Sequence, residues 1–163
     1  MQPRFTVLPE IKVAGLGTRF ISILSPNKNN GTVIPALWHQ FMQRFATIPG
    51  RTGSASLGLV EMLPADAGKS DPMEMFYLAA APVSSFEGLP ADLLQRTLPA
   101  GRYALFTHVG PLERLGATMT TIYRGWLPQA KEKLRDAPHL EWYDQRFDPN
   151  SAKSEFDILL PVA

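Results

Sequence analysis

Along this chain the apolar residues follow two rhythms. Ile34, Leu37, Trp38, Phe41, Met42 and Phe45 recur at three- and four-residue steps, which puts one strongly apolar stripe on a helix. The same spacing returns in Leu112, Leu115, Met119, Ile122, Tyr123 and Trp126. The stretches Thr6 to Phe20, Leu57 to Met62, Met73 to Val83, Leu93 to Val109, Leu140 to Phe147 and Glu155 to Val162 read as extended. The punctuation agrees. Asn27 to Gly31 is a loop by composition, Thr32 is the expected N-cap of the first helix, Pro35 is tolerated in its first turn, and Pro49-Gly50 ends it. Gly110-Pro111 opens the second helix, and Pro128, which has no N–H to donate, closes it at Trp126-Leu127-Pro128. Pro9 breaks the first extended stretch, and Pro99-Ala100-Gly101 interrupts the one from Leu93 to Val109.

The two halves of this pattern repeat. Leu8-Pro9 precedes Lys12-Val13-Ala14 as Leu98-Pro99 precedes Arg102-Tyr103-Ala104, and the halves close on Pro82-Val83 and Pro161-Val162. The repeat lies in the order of elements more than in matched letters. Each strand-helix-strand-strand unit, about 5–84 and 92–163, has an unshielded sheet edge and an apolar sheet face, and joining two units buries both. The expected architecture is therefore α+β: one domain over 1–163, one antiparallel sheet with two helices on one face. A concave ligand cleft is expected on the other face, where the halves meet.

Composition narrows the function. The chain has 163 residues, 45% hydrophobic and 19% charged, enough for a substantial core. Its 16 basic and 15 acidic residues leave a net charge of +1 with no Lys/Arg stripe, so direct nucleic-acid binding is not expected. With no cysteine, disulfides, thiolate metal sites and cysteine nucleophiles are excluded. The longest apolar run, Phe76 to Val83, falls far short of the roughly 20 residues of a membrane span, and Met1 to Phe5 shows no signal core. A cytoplasmic protein is the expectation. His39, His108 and His139 are dispersed without metal-ligand spacing, Gly15-x-Gly17 lacks the third glycine of a phosphate loop, and the serines form no elbow, so no metal or cofactor is expected.

One stretch carries distinctive chemistry. Period-two alternation puts Leu140, Trp142 and Asp144 on one strand face and Glu141, Tyr143 and Gln145 on the other. If that second face is enclosed, Glu141 must be paired, protonated or waiting for a cation. From the residues alone, the favoured reading is an ordinary, partly exposed strand acid paired with Arg146, Arg102 or a lysine. Tyr77 alternates away from Phe76 and Leu78, which should pack on the helices, so that Met73, Met75 and Tyr77 form an adaptable cleft wall. Trp142 is expected in the core, as are Trp38 and Phe41. Trp126 is either core or cleft, and Phe20 and Phe106 are further cleft candidates.

Several short segments resemble the GyrI-like small-molecule-binding superfamily, the bacterial transcription-activator effector-binding domain. They are Ile11-Lys12-Val13-Ala14-Gly15, Ile34-Pro35-Ala36-Leu37-Trp38, Pro99-Ala100-Gly101-Arg102-Tyr103-Ala104, His108-Val109-Gly110-Pro111, Trp126-Leu127-Pro128, Glu141-Trp142-Tyr143-Asp144 and Asp157-Ile158 to Pro161-Val162. The resemblance implies the same tandem fold and a central cleft for lipophilic, often cationic, aromatic molecules. It implies that Glu141 meets the ligand charge, with Trp126 and Tyr77 among the aromatics lining the cleft; Tyr143, Met75, Phe106 and Phe20, from the residue pattern, complete the ligand-binding candidates. It implies a stand-alone sensor or sequestering protein, since no DNA-reading segment accompanies these motifs. Two alternatives come with it: a hydrolase of electrophilic cyclopropane-containing toxins in which Glu141 activates water, and a protein modulator of gyrase.

Overall fold

The computed structural model describes residues 1–163. Strands are β1 (Arg4–Leu8), β2 (Ile11–Ile21), β3 (Ser56–Met62), β4 (Glu74–Val83), β5 (Leu94–Leu98), β6 (Gly101–Val109), β7 (His139–Tyr143) and β8 (Glu155–Val162). Helices are α1 (Asn30–Phe45) and α2 (Leu115–Thr120), the latter set between irregular turns. The strands form one 8-stranded antiparallel sheet in the order β1-β6-β8-β7-β3-β4-β2-β5. The α+β architecture with one sheet and two helices is thus as the pattern implies.

Pairing registers relate the halves. Lys12 pairs with Val83 as Arg102 pairs with Val162, and Leu57 pairs with Ala80 as Leu140 pairs with Leu159. On this mapping Gly58 corresponds to Glu141 and Tyr77 to Phe156. Gly58 and Glu141 also face each other across the β3–β7 ladder that joins the halves. The acid therefore lies at the centre of the pseudo-symmetric sheet, and only one half supplies it.

Two short links shape the sheet. Only Pro9 and Glu10 carry the chain from β1, at one edge, to β2, next to the other edge. Six strand spacings of ~4.8 Å in a flat sheet separate those positions by roughly 29 Å, whereas three Cα steps of ~3.8 Å reach at most about 11 Å. Pro99 and Ala100 impose the same demand between β5 and β6. The sheet must curl. On the concave side its ends pack onto its middle, where Leu8, Ile11, Val13, Leu98 and Tyr103 meet Leu57, Leu59, Leu78, Leu140 and Leu159. Trp142 packs with this group, as expected for a core residue.

The opposite face carries the helices. Under α1 lie Phe20, Tyr77, Ala79, Ala81 and Val83 with Leu37 and Phe41. Under the second helical segment lie Ala104, Phe106, Phe156, Ile158 and Leu160 with Ile122 and Trp126. Phe76 and Leu78, expected against the helices, instead lie on the opposite face of β4, where Leu78 packs beside Leu59 of β3, and Tyr77 faces α1.

Local sequence explains the remaining departures. The first helix begins at Asn30, ahead of Thr32, and Pro35 lies inside it. Asn29 at its start turns its side-chain carbonyl to the Ile21 N–H (2.7 Å), tying the helix to the end of β2. The second helical segment is a 3₁₀ turn (Leu112–Arg114), α2, a π-helical turn (Thr121–Trp126) and a further 3₁₀ turn (Leu127–Gln129). Thr120 and Thr121 donate back to the Gly116 and Ala117 carbonyls, both at 2.9 Å. Such back-bonding competes with the backbone ladder, and the Pro128 ring crowds the carbonyl four residues earlier. The strand expected over Leu140 to Phe147 ends at Tyr143, because Asp144 captures both the Arg146 N–H (3.0 Å) and its guanidinium (2.9 Å) in a turn.

Leu140 is 1% exposed on the strand that holds the halves together. Leu140→Ala is expected to lower unfolding free energy in urea by about 2–5 kcal/mol, with cooperative unfolding retained.

Candidate functional site

The concave sheet face is filled by its own core, so the expected cleft does not open there. A cavity of about 1530 Å³ opens instead on the helix-bearing face, between α1 and the second helical segment. Its floor comes from β3, β4 and β7, including Val60, Met75, Tyr77, His139, Glu141 and Tyr143. One wall includes Trp38 and Met42 of α1; the other includes Leu115, Met119 and Tyr123. Five of the chain's six methionines line it: Met42, Met62, Met73, Met75 and Met119. Unbranched, polarisable side chains let such a wall adapt to differently shaped ligands.

Glu141 sits on the floor, 8% exposed. Its Oε2 accepts hydrogen bonds from the Tyr77 hydroxyl at 2.6 Å and the Tyr143 hydroxyl at 2.7 Å. Trp38 Nε1 donates to the Tyr77 oxygen at 3.0 Å, which aligns that phenol toward the acid. Glu141 Oε1 has no donor from the protein and is not sealed from solvent. No cation pairs with the carboxylate; Arg146 is taken by Asp144, Asp157 and Glu155, and Arg102 by Glu132. The ordinary reading of Glu141 as a paired strand acid is thereby excluded. Arg135, the one Arg or Lys on the cavity lining, is spent on the Val162 and Arg102 carbonyls. Glu61, Glu113 and Asp136 also border the cavity, so its charge balance is negative.

Burial pushes the Glu141 carboxyl above its ordinary range, and the two phenol hydrogen bonds offset part of that rise. Tyr77 and Tyr143 are held well above the usual phenol range by burial and then by the neighbouring Glu141 charge, so both remain donors. Space for this arrangement depends on Gly58. A Cβ there would lie 2.1 Å from Tyr77 Oη and 2.9 Å from Glu141 Oε2. On the other half, Phe156 occupies the position of Tyr77 and has no hydroxyl to offer; it stacks on Tyr143 at 4.8 Å.

Of the residues expected at the site, Glu141, Tyr143, Tyr77, Met75 and Phe20 are brought together on this cavity. Trp126 and Phe106 are not. They pack edge-to-face on each other at 5.1 Å beneath the second helical segment, with Ile122. Conversely, Trp38 lies on the cavity and also meets Tyr143 edge-to-face at 5.3 Å. Tyr123 and His139 line it too, with Tyr123 Oη 2.6 Å from His139 Nδ1 and their rings stacked. An indole N–H and a phenol on inward helix stripes need partners, and that was the available signal for Trp38 and Tyr123. His108, by contrast, is buried against Thr118 and is structural.

A curled antiparallel sheet with a large aromatic and methionine-lined cavity between two helices defines a small-molecule-binding domain. The chain belongs to the GyrI-like small molecule binding domain family, which matches residues 1–163. The transcriptional regulator BrlR of Pseudomonas aeruginosa is 28% identical over 137 residues, covering 81% of this chain and 47% of that protein. The probable transcriptional regulator YgiV of Escherichia coli is 39% identical over 67 residues, covering 40% and 42% respectively. The matched stretch thus spans less than half the length of these curated relatives. Among solved structures, SAV2435 bound to tetraphenylphosphonium superposes with a TM-score of 0.74 at 19% identity, over 100% of this chain and 94% of that one. The EcmrR C-terminal domain superposes at 0.69 with 18% identity, over 99% and 97%. A hydrolase from Listeria innocua does so at 0.53 with 12% identity, over 99% and 92%. At these identities the superpositions establish the shared fold. No helix is long and apolar enough to cross a membrane.

Two outcomes follow from the geometry. Gly58→Ala is expected to cost at least about 1–3 kcal/mol, because it forces Tyr77 off a buried carboxylate; chemical denaturation measures it. The raised carboxyl pKa also has a sign. Between its ordinary value and its folded value the native state binds more protons than the unfolded state, so stability falls as pH rises through that window. Glu141→Gln removes the effect. Its stability advantage over wild type is expected to grow from pH 4 to pH 8 in parallel thermal melts.

Proposed function

We propose that this chain binds amphipathic aromatic cations in the cavity between its helices, with Glu141 as the counter-charge. The observation that carries the reading is a buried carboxylate oriented by two phenols, with one oxygen open and no protein cation against it. Such a group is expensive to leave ionised and empty. A lipophilic cation removes the cost and also gains contact with the faces of Trp38, Tyr77 and Tyr143, each cation–π contact contributing about 0.5–2 kcal/mol. Most of the affinity would come from apolar area at about 25 cal/mol per Å². Methionine walls favour loose shape selectivity. The similarity to SAV2435, itself described bound to tetraphenylphosphonium, and to transcriptional regulators supports a sensing or sequestering role in the cytoplasm.

A second reading rests on the same open oxygen. A carboxylate with a raised pKa and a free lone pair is suited to activate water, so hydrolysis of an electrophilic aromatic substrate is compatible with the site. Product formed by wild type and lost in Glu141→Gln would establish it; stoichiometric binding without product over many hours would not.

Calorimetry with tetraphenylphosphonium and its charge-inverted counterpart tetraphenylborate tests the first reading. Wild type is expected to prefer the cation. Glu141→Gln is expected to lose about tenfold or more of that affinity, in line with roughly 1.5–3 kcal/mol for interactions with a charged group. Equal affinity of wild type for the two ions would contradict it.

A further inference from the structure

The cavity holds a second polar device besides the acid. His139 and Glu141 are two residues apart on β7 and point to the same face, roughly 7 Å apart at ~3.4 Å per strand residue. His139 Nδ1 lies 2.6 Å from the Tyr123 hydroxyl, which has no other partner in the protein. A phenol is the stronger donor of the two and a bare imidazole nitrogen the stronger acceptor, so the proton on this bond belongs to Tyr123. That fixes the tautomer: His139 carries its own proton on Nε2. Nε2 has no partner in the protein and is not sealed from solvent, and the residue lines the cavity. Stacking against the Tyr123 ring at 5.7 Å and 9° holds the imidazole plane in place.

The remaining surroundings favour a neutral ring. Burial pushes His139 down to about 4 and Tyr123 upward, so near neutral pH the pair adds no positive charge next to the cation site. A fixed, uncharged N–H donor beside an open carboxylate oxygen reads two features of one molecule.

We propose that His139, held by Tyr123, is a specificity-determining residue that donates from Nε2 to a neutral hydrogen-bond acceptor on the bound cation. The preferred ligand class is then an aromatic cation carrying a carbonyl, ether or similar acceptor several ångströms from its charge. This rests on the reading of Glu141 as the counter-charge and adds to it a selection among cations.

The experiment compares tetraphenylphosphonium with the same ion bearing one para-acetyl group, by calorimetry on the full chain. In wild type the acetyl compound is expected to bind about 3–10-fold more tightly, the range of one net hydrogen bond. The ratio of the two affinities should fall toward one in His139→Phe. It should also fall in Tyr123→Phe, which frees the tautomer and leaves His139 in place. Because each variant reports a ratio, a general loss of stability or affinity cancels. A wild-type ratio of one, or an undiminished ratio in His139→Phe, overturns the role of His139. Should tetraphenylphosphonium bind with the expected dependence on Glu141 but without acceptor selectivity, only this inference fails. Should neither ion bind at all, the counter-charge reading fails and this inference with it.

Discussion

The cavity depends on a single unpaired carboxylate. Glu141 is 8% exposed, is held by two phenol hydrogen bonds on one oxygen and faces no cation of the protein's own. In a folded domain such a group normally disappears by mutation, acquires an arginine or stays in water, because an isolated buried charge is costly. Here its neighbours are arranged so that it persists. Gly58 supplies the space, Tyr77 and Tyr143 the donors, and Trp38 the bond that aligns Tyr77. Arg135, the one Arg or Lys on the cavity lining, is engaged elsewhere, as is Arg146.

The fold explains why this happens once and not twice. Short links through Pro9–Glu10 and Pro99–Ala100 curl the sheet until its ends fill the concave side, so any ligand space has to lie on the helix side. There the β3–β7 ladder runs down the middle, and it pairs Gly58 with Glu141. Two glycines would leave a void without recognition; two acids would repel across a few ångströms. The mapped pair Tyr77 and Phe156 completes the asymmetry, one carrying a hydroxyl and the other only a ring. Pseudo-symmetric scaffolding with asymmetric side chains lets the centre of a sheet become a site without breaking the sheet.

Much of this was legible in the sequence. Apolar spacing marks both helices, alternation marks the strands and puts Glu141 and Tyr143 on one face and Tyr77 opposite Phe76 and Leu78, and the family resemblance is what singles out Glu141 for a ligand. The side of the sheet on which the cavity opens was not legible. Alternation separates Tyr77 from Phe76 and Leu78 but does not say which set meets the helices; that needs the strand order and the curl. Trp38 was hidden for a related reason, since the spacing that points it inward is shared with the core residue Phe41. For Trp126 the spacing allows either core or cleft, and the π-helical turn carries it onto Phe106. His139 carried no local signal at all; its partner Tyr123 is 16 residues away.

The central claim is that the Glu141 carboxylate answers the charge of a ligand. Its ionisation can be followed directly by carbon-13 NMR of side-chain-labelled glutamate, with Glu141→Gln assigning the resonance. The free protein should titrate above the ordinary carboxyl range, and saturation with tetraphenylphosphonium should move the midpoint downward, because a bound cation stabilises the charged form. A midpoint that stays put while the cation occupies the cavity would show that the acid and the ligand do not meet.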